Sequence, residues 1–468
     1  MNGEETEQVQ KERQKQFILT GNLWRVMADL SWPAIVAMVL YGMNAMLDGF
    51  FVGRYVGEAA LAGVSVVYPL SQISVALGSL IGVGAGSVLS IAIGARNGLV
   101  QKRLLGNVNF LSIIAAAVYI VLGLLFSREL TEMMGGKEEA LVLGDRYFRI
   151  TILGAFFWIY GLAGNMIIRA EGKMKTAAWM MGVGLGVDAA FKYLFVGLLG
   201  WGVEGAAWAT NIGMVTYTLL GWLYFGGNAP SFRSKLASVR WDKDIGSSVL
   251  RLGLSSLIMS VMSLVQAVFV FNALSKHGTT ADVAFYGVVY RIFTFLLTPI
   301  FGLMRALQPV IGINYGAGEY ERVIRSYHIF AVASMLLTLP FWIVSMVVPE
   351  PVLGLMLKDQ LFSGEQLGQF RIYMAILPVL SFIFMAMTLF PSIDKGKPAA
   401  LIGIARQLVF YVPVMLLLPR VMGVSGIYVG SFAIDAVIVV WTIIMVRKEF
   451  RQLRRLKPNA SGQWNQAM

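Results

Sequence analysis

The chain has 468 residues, 57% of them hydrophobic and only 14% charged, with a mean hydropathy of +0.69. A water-soluble globule carries about half apolar residues and about a quarter charged ones, so this composition excludes a soluble enzyme or adaptor and places the chain in lipid. A net charge of +12 invites a nucleic-acid reading, but basic loops that meet anionic lipid headgroups account for it, and no nucleic-acid partner is expected.

Residues 1–20 are polar and hold no apolar core of the kind a cleavable signal needs, so the first hydrophobic helix is expected to act as an uncleaved insertion signal. Apolar runs of roughly 20 residues or more, each long enough for a hydrocarbon core of about 30 Å, then recur along the chain. There are twelve: 28–52, 60–90, 105–126, 144–169, 176–198, 204–225, 249–274, 284–313, 323–347, 366–391, 398–418 and 426–447. Runs such as Val437-Ile438-Val439-Val440-Trp441 do not alternate with polar residues, which excludes a strand-built barrel. A connector at 226–248, with Pro230, Arg233, Lys235, Arg240 and Lys243, divides a first lobe (1–225) from a second (249–447), and 448–468 reads as a basic tail. Trp24, Trp32, Tyr160 and Trp441, near helix ends, suit the membrane interface.

The two halves repeat one another. Gly94-Ala95 and Gly316-Ala317 close matching helix-loop-helix segments at 40–98 and 262–320, and Phe148-Arg149-Ile150 recurs as Phe370-Arg371-Ile372, all at a separation of 222 residues. The expected fold is therefore an all-α polytopic membrane protein. Its twelve transmembrane helices form two pseudo-symmetric six-helix lobes around a central cavity, an arrangement that places a substrate path between the lobes.

Basic residues set the threading. With the N-terminus inside, the cytoplasmic segments hold 25 Lys and Arg against seven outside (Arg54, Arg128, Lys137, Arg146, Lys276, Lys358 and Arg420). That asymmetry puts both termini in the cytoplasm of a multi-pass protein of the cell membrane. Six further basic residues fall within or at the edges of helices: Arg149, Lys192, Arg291, Arg305, Arg371 and Arg406.

Enzyme chemistry finds no support. With no Cys and only His277 and His328, thiol catalysis is excluded and no clustered Cys/His metal site is expected. Gly82-Val83-Gly84-Ala85-Gly86 lacks the preceding strand and the Gly-Lys-Ser/Thr ending of a phosphate cradle, so its small residues suit close helix packing instead. Without a nucleotide site, energy comes from an ion gradient or from the substrate's own. No cofactor is expected, and the chain reads as a monomer. Pro33, Pro69, Pro299, Pro309, Pro378 and Pro413 either bend during the transport cycle or set fixed kinks.

An ionisable side chain in lipid is costly and marks a partner or a wet cavity. Asp48, toward the outer end of helix 1, is either an interfacial charge beside Arg54 or a carboxylate that takes up a cation or proton. Arg305, in the middle of helix 8, needs water, a carboxylate or an anionic substrate beside it. With Arg291, Lys192 and Arg406 it makes the interior less acidic than a pump for lipophilic cations requires, so the substrate carries a negative group or is zwitterionic.

Asp48-Gly49-Phe50-Phe51-Val52-Gly53, Ala60-Leu61-Ala62-Gly63 and Gly94-Ala95-Arg96 resemble the N-terminal half of the multidrug and toxic compound extrusion (MATE) family. Tyr290-Arg291-Ile292-Phe293, Leu307-Gln308-Pro309, Asn314-Tyr315-Gly316-Ala317, Arg406-Gln407 and Pro413 resemble its second half. The resemblance implies an antiporter that exports organic molecules in exchange for protons or sodium. It implies a coupling role for Asp48 and sets Asn165 and Asp435 where polar family residues are found, Asp435 being either a direct participant or a partner that neutralises an Arg. Helix 5 departs from the pattern: where family members often carry an Asn and, four residues on, an Asp-Pro, this chain has Asp188, Lys192 and Tyr193. Asp188 and Lys192 share a helix face, either as a tethered cation that favours proton over sodium coupling or as a self-neutralising pair. Three functions follow: an ion-coupled exporter of amphiphilic small molecules, a flippase for an anionic or zwitterionic lipid-like substrate, and a non-transporting membrane receptor or assembly factor.

Overall fold

The computed structural model describes residues 3–227, 230, 232, 237–354 and 361–456. Of the expected loop and tail charges, Arg233, Lys235, Lys358 and Lys457 lie outside the described residues. A surface helix, α1 (Gly3–Thr20), leads into α2 (Leu23–Tyr55), α3 (Glu58–Gly94) and α4 (Gly98–Leu125). A short α5 (Ser127–Met133) follows, and α6 (Glu138–Leu153) with α7 (Ala155–Ala170) makes one span bent by 54°. Then come α8 (Met174–Lys192), which runs into a π-helical stretch at Tyr193–Leu198, and α9 (Gly202–Gly226).

The second half repeats the order. It comprises α10 (Lys243–His277), α11 (Thr280–Gly316), α12 (Tyr320–Val347), the short α13 (Pro349–Gly354), and α14 (Gly364–Ala375) with α15 (Leu380–Ser392) as one span interrupted around Pro378. α16 (Gly396–Ile404), a π-helical stretch at Ala405–Tyr411 and α17 (Val412–Met422) form the next, before α18 (Ser425–Arg455). Among the described residues, ten spans are long and apolar enough to cross a membrane, and the bent α6–α7 pair makes eleven. α9 supplies the twelfth, its apolar character diluted by Glu204, Thr210, Asn211 and several glycines.

The duplication is exact in places: α3 and α11 (58–94 and 280–316) and α4 and α12 (98–125 and 320–347) are displaced by 222 residues at both ends. Several helices outrun their apolar cores, because a helix continues through the headgroup zone where hydropathy no longer marks it. Hence α10 starts at Lys243, inside the stretch expected as connector, and α18 continues to Arg455, inside the expected tail. Phe450 and Leu453 in that extension are buried, and the Phe450 ring packs edge-on against Tyr327. What remains of the connector is pinned to α4: Asn109 donates to the Ser238 carbonyl, the Asp242 amide donates to Asn107, and Arg103 pairs with Asp242 at 3.1 Å.

The bend between α6 and α7 has a local cause. A Cβ at Gly154 would lie 2.2 Å from Asn211 Oδ1, so glycine leaves room for the Asn211 amide against the break. The Ile150 carbonyl that the break frees finds a donor on α9, Asn211 Nδ2 at 2.7 Å, and Thr218 Oγ1 of α9 adds a bond to the Phe157 carbonyl of α7 at 2.8 Å. In hydrocarbon such substitutes are obligatory. Away from the core, α4 presents Ile113, Ile114, Val118, Val121 and Leu122 outward, an apolar stripe that suits lipid.

Glycine also lets the halves touch. A Cβ at Gly94 would lie 2.1 Å from the Ile313 carbonyl oxygen, and one at Gly316 would lie 2.0 Å from that of Ile91. Equivalent residues of the two repeats thus meet backbone to backbone. Gly84 and Gly253 are equally reciprocal, at 1.9 Å from the Val249 oxygen and 1.8 Å from the Leu80 oxygen. Gln308 adds hydrogen bonds to the Val83 carbonyl and to Ser87.

Both ends of the described chain lie at the face where these contacts cluster. Arg322, at the start of α12, donates to the carbonyls of Ile18 and Gly21, while its neighbour Glu321 pairs with Arg454 at 3.3 Å. α1 also reaches the first half there, through Gln14 to the Gly172 carbonyl. The reciprocal glycine approaches lie toward this face, while Gly302 meets Ile35, 2.6 Å from where its Cβ would stand, and Arg305 meets Met166 farther along, so the halves are sealed together from the face that carries the chain ends toward mid-helix. The chain lacks cysteine, which makes the seal testable. A Ser87→Cys probe, fully buried between the halves, should react slowly with a membrane-permeant maleimide, and adding Gly316→Val should accelerate it several-fold by parting the halves. Unchanged labelling would show that the glycine contact does not hold them.

Candidate functional site

In the first half three ionised side chains meet. Lys192, on the last turn of α8, donates to Asp188 Oδ2 at 2.6 Å, one turn earlier on the same helix, and lies 2.8 Å from Asp48 Oδ1 on α2. The Lys192 and Asp188 side chains are fully buried, whereas Asp48 keeps 18% of its side-chain surface exposed. Lys192 is thus a cation tethered between two carboxylates, and Asp48 is the member of the trio that solvent can reach. Tyr147 of α6 and Thr210 of α9 lie within electrostatic reach of the carboxylates. The trio leaves a net charge of −1, and Asp188 Oδ1 is buried without a hydrogen-bond partner. The π-helical stretch begins at the next residue, Tyr193, and such an insertion rotates whatever follows it.

The second half holds a simpler pair. Arg406, inside the other π-helical stretch, binds Asp435 of α18 side-on, Nε donating to Oδ1 at 2.6 Å and Nη2 to Oδ2 at 3.0 Å. This fork geometry is the strongest form of the contact, and it neutralises both partners. The pair faces a cavity of about 150 Å³ lined also by Gln266, Tyr290, Tyr373, Gln407 and Tyr411. Gln407 Oε1 is buried there without a partner, and Tyr411 shares a 2.7 Å hydrogen bond with Ser431.

The other sequence candidates separate. Asn165 is buried and donates from Nδ2 to the Ala177 carbonyl at 2.9 Å, fastening α7 to α8. Arg291 is exposed on α11, about 21 Å along the helix from Arg305 at 1.5 Å per residue, and joins neither charged cluster. Arg305 does lie inside. Its Nη1 sits 3.9 Å from the sulfur of Met166 on α7, with Tyr41 and Arg169 close enough to perturb it electrostatically.

Arg169, with Tyr147 and Thr210, is a residue that reading the sequence did not single out. Counting loop charges assigns it to the segment joining helices 4 and 5, but the structure buries it in the last turn of α7. The adjoining Ile167-Ile168 was the available signal. Arg54 stands over the Phe50 ring at 5.8 Å rather than beside Asp48.

Two matching helical halves, sealed on one face and each holding ionised side chains in its interior, define a multi-pass membrane transporter. The MatE family model matches residues 33–194 and 252–417, one stretch in each half. The chain belongs to the multidrug and toxic compound extrusion (MATE) family. It is similar to the multidrug export protein MepA of Staphylococcus aureus (strain N315), 22% identical over 423 residues that cover 89% of this chain and 92% of MepA. Among solved structures it is similar to a MATE protein in the bent conformation (TM-score 0.89, 24% identity, 94% of this chain and 98% of that one). It is also similar to an outward-facing multidrug resistance MATE family transporter of the MOP superfamily (TM-score 0.87, 25% identity, 94% and 98%).

The trio makes a stability prediction. Lys192→Met leaves two carboxylates facing one another across the space the ammonium filled, at a cost of roughly 3–5 kcal/mol near neutral pH. Thermal unfolding in detergent should place Lys192→Met well below wild type, and removing one of the facing charges as well, in Asp48→Asn/Lys192→Met, should recover part of the loss; an equal deficit in the double mutant would refute the like-charge account.

Proposed function

We propose that this protein exports amphiphilic small organic molecules in exchange for protons, its cavity facing each side of the membrane in turn. The observation that carries the reading is Lys192, held at 2.6 and 2.8 Å from Asp188 and Asp48. A sodium site needs an oxygen cage around a free cation. Here a covalently tethered ammonium fills the space between the carboxylates, which supports proton over sodium coupling. A proton arriving at the partly exposed Asp48 weakens its hold on Lys192, while Asp188 keeps the ammonium paired. The contact between α2 and α8 is thereby loosened without stranding a charge, and α2, which contains Pro33, is freed to bend. We assign the coupling role to Asp48, Asp188 and Lys192, and a fixed structural charge pair to Arg406 and Asp435.

The lobes are proposed to comprise 1–225 and 249–447 as the moving bodies, with both termini cytoplasmic. On that threading the sealed face is cytoplasmic and the state is outward-open, a reading supported by the likeness to an outward-facing MATE transporter. The printed activity of MepA, multidrug export, supports organic compounds as cargo. The flippase reading keeps one observation in its favour, the arginines on the cavity side that face no carboxylate, and is taken up below.

Proteoliposomes loaded with a pH-sensitive dye test the coupling. In sodium-free buffer, substrate-driven proton movement should appear for wild type across a panel of cationic and anionic amphiphilic dyes. Asp48→Asn should reduce it to the level of empty vesicles. A strict requirement for sodium, or full proton movement in a well-expressed Asp48→Asn protein, would overturn proton coupling through this site.

A further inference from the structure

Arg169 and Arg305 come from different halves of the protein, the last turn of α7 and the inner half of α11, and come within electrostatic reach of one another beside the inter-half contacts. Arg305 Nη1 approaches the Met166 sulfur at 3.9 Å, and Met166 lies three residues before Arg169 on the same face of α7. Among the described residues neither guanidinium pairs with a carboxylate. Arg169 is 3% exposed, and its Nη2 is buried without a hydrogen-bond partner. The hydroxyl of Tyr217, 6% exposed and within electrostatic reach of Arg169, is likewise unpartnered. Tyr41, which also senses Arg305, joins Tyr217 in lining a cavity of about 30 Å³, room for about two waters.

Two like charges buried side by side are costly, and the other ionised groups inside this protein avoid the cost: Lys192 has two carboxylates and Arg406 has one. A pair left uncompensated, with donors unsatisfied, is complementary to an anion that arrives from outside. Guanidinium groups match a carboxylate or phosphate in two-pronged geometry, and a tyrosine hydroxyl supplies a further donor.

We propose that the junction between the halves at these arginines binds the anionic headgroup, a carboxylate or phosphate, of an amphiphilic substrate, clamped between Arg169 of one half and Arg305 of the other. This rests on the export reading above and names its substrate class.

Equilibrium binding to the full-length protein in nanodiscs tests the clamp, with dansylaminoundecanoate as the anionic probe and ethidium as the cationic one. Wild type should bind the anionic probe, and Arg305→Gln and Arg169→Gln should each weaken it by roughly tenfold or more, the loss expected for one charge-assisted contact. Arg305→Lys should restore part of the affinity, and ethidium should respond to none of these changes. Arg305 keeps part of its surface exposed, so its variants serve even where Arg169→Gln fails to fold. Competition separates the sources: displacement by dihexanoyl phosphatidate but not by inorganic phosphate identifies a lipid-like headgroup, and displacement by both identifies the anion alone as sufficient. Unchanged anionic binding in Arg305→Gln, or wild-type preference for ethidium, would overturn the proposal. The assay imposes no gradient, so its failure leaves proton coupling untouched, just as sodium dependence in the flux assay would leave the clamp standing.

Discussion

A charge placed in hydrocarbon has to be matched by another charge, by water or by cargo, and that constraint organises the interior of this protein. Each half meets it differently. In the first, two carboxylates share one ammonium, and the surplus negative charge sits beside the partly exposed Asp48. In the second, Arg406 and Asp435 cancel in a two-pronged contact beside an aromatic cavity. The halves repeat in backbone to the residue over α3 and α11, yet their charges do not correspond. The position 222 residues after Asp48 is Val270, and that before Arg406 is Gly184. Duplication supplied the scaffold, and substitution gave the two lobes different electrostatic tasks.

Backbone approach supplies the second constraint. Where the repeats cross, at Gly94 against Ile313 and Gly316 against Ile91, there is no side chain to act as a spacer, so the halves lie as close as two helices can. Contacts of this kind are short-ranged and depend on shape rather than charge. They bring Arg169 and Arg305 together without any attraction between them, and they can be undone without desolvating an ion. A seal made this way suits the parting and re-forming that the proposed transport cycle asks of it.

Much of this was legible in the sequence, for physical reasons. Hydrophobic length marks helices because the bilayer has a fixed thickness, and the 222-residue echo of Gly94-Ala95 in Gly316-Ala317 announced the paired halves. The i, i+4 spacing of Asp188 and Lys192 foretold their contact, since one helix fixes it. Asp48 joining them was not legible as a contact, because it depends on how α2 lies against α8. Arg169 was missed for a related reason: at a helix end, charge count alone does not distinguish a residue that reaches the interface from one that turns inward. Arg291 and Arg305 looked alike in sequence, each an arginine on one long helix, and only packing separates the exposed from the enclosed. Helix ends were read short at Lys243 and beyond Arg447, where polar residues continue helices that hydropathy stops seeing.

The grip of Arg322 on the carbonyls of Ile18 and Gly21 carries a further consequence. Those carbonyls end α1, where the helix dipole is negative, so the guanidinium is both partner and counter-charge. Because the same short helix touches Gly172 of the first half through Gln14, it works as a buckle across the line where the two halves part. A buckle of this kind adds to the energetic depth of one conformation only. On the transport cycle proposed above, α1, which lies outside the hydrophobic spans, trims the resting balance and offers a handle that can be altered without touching the cargo path.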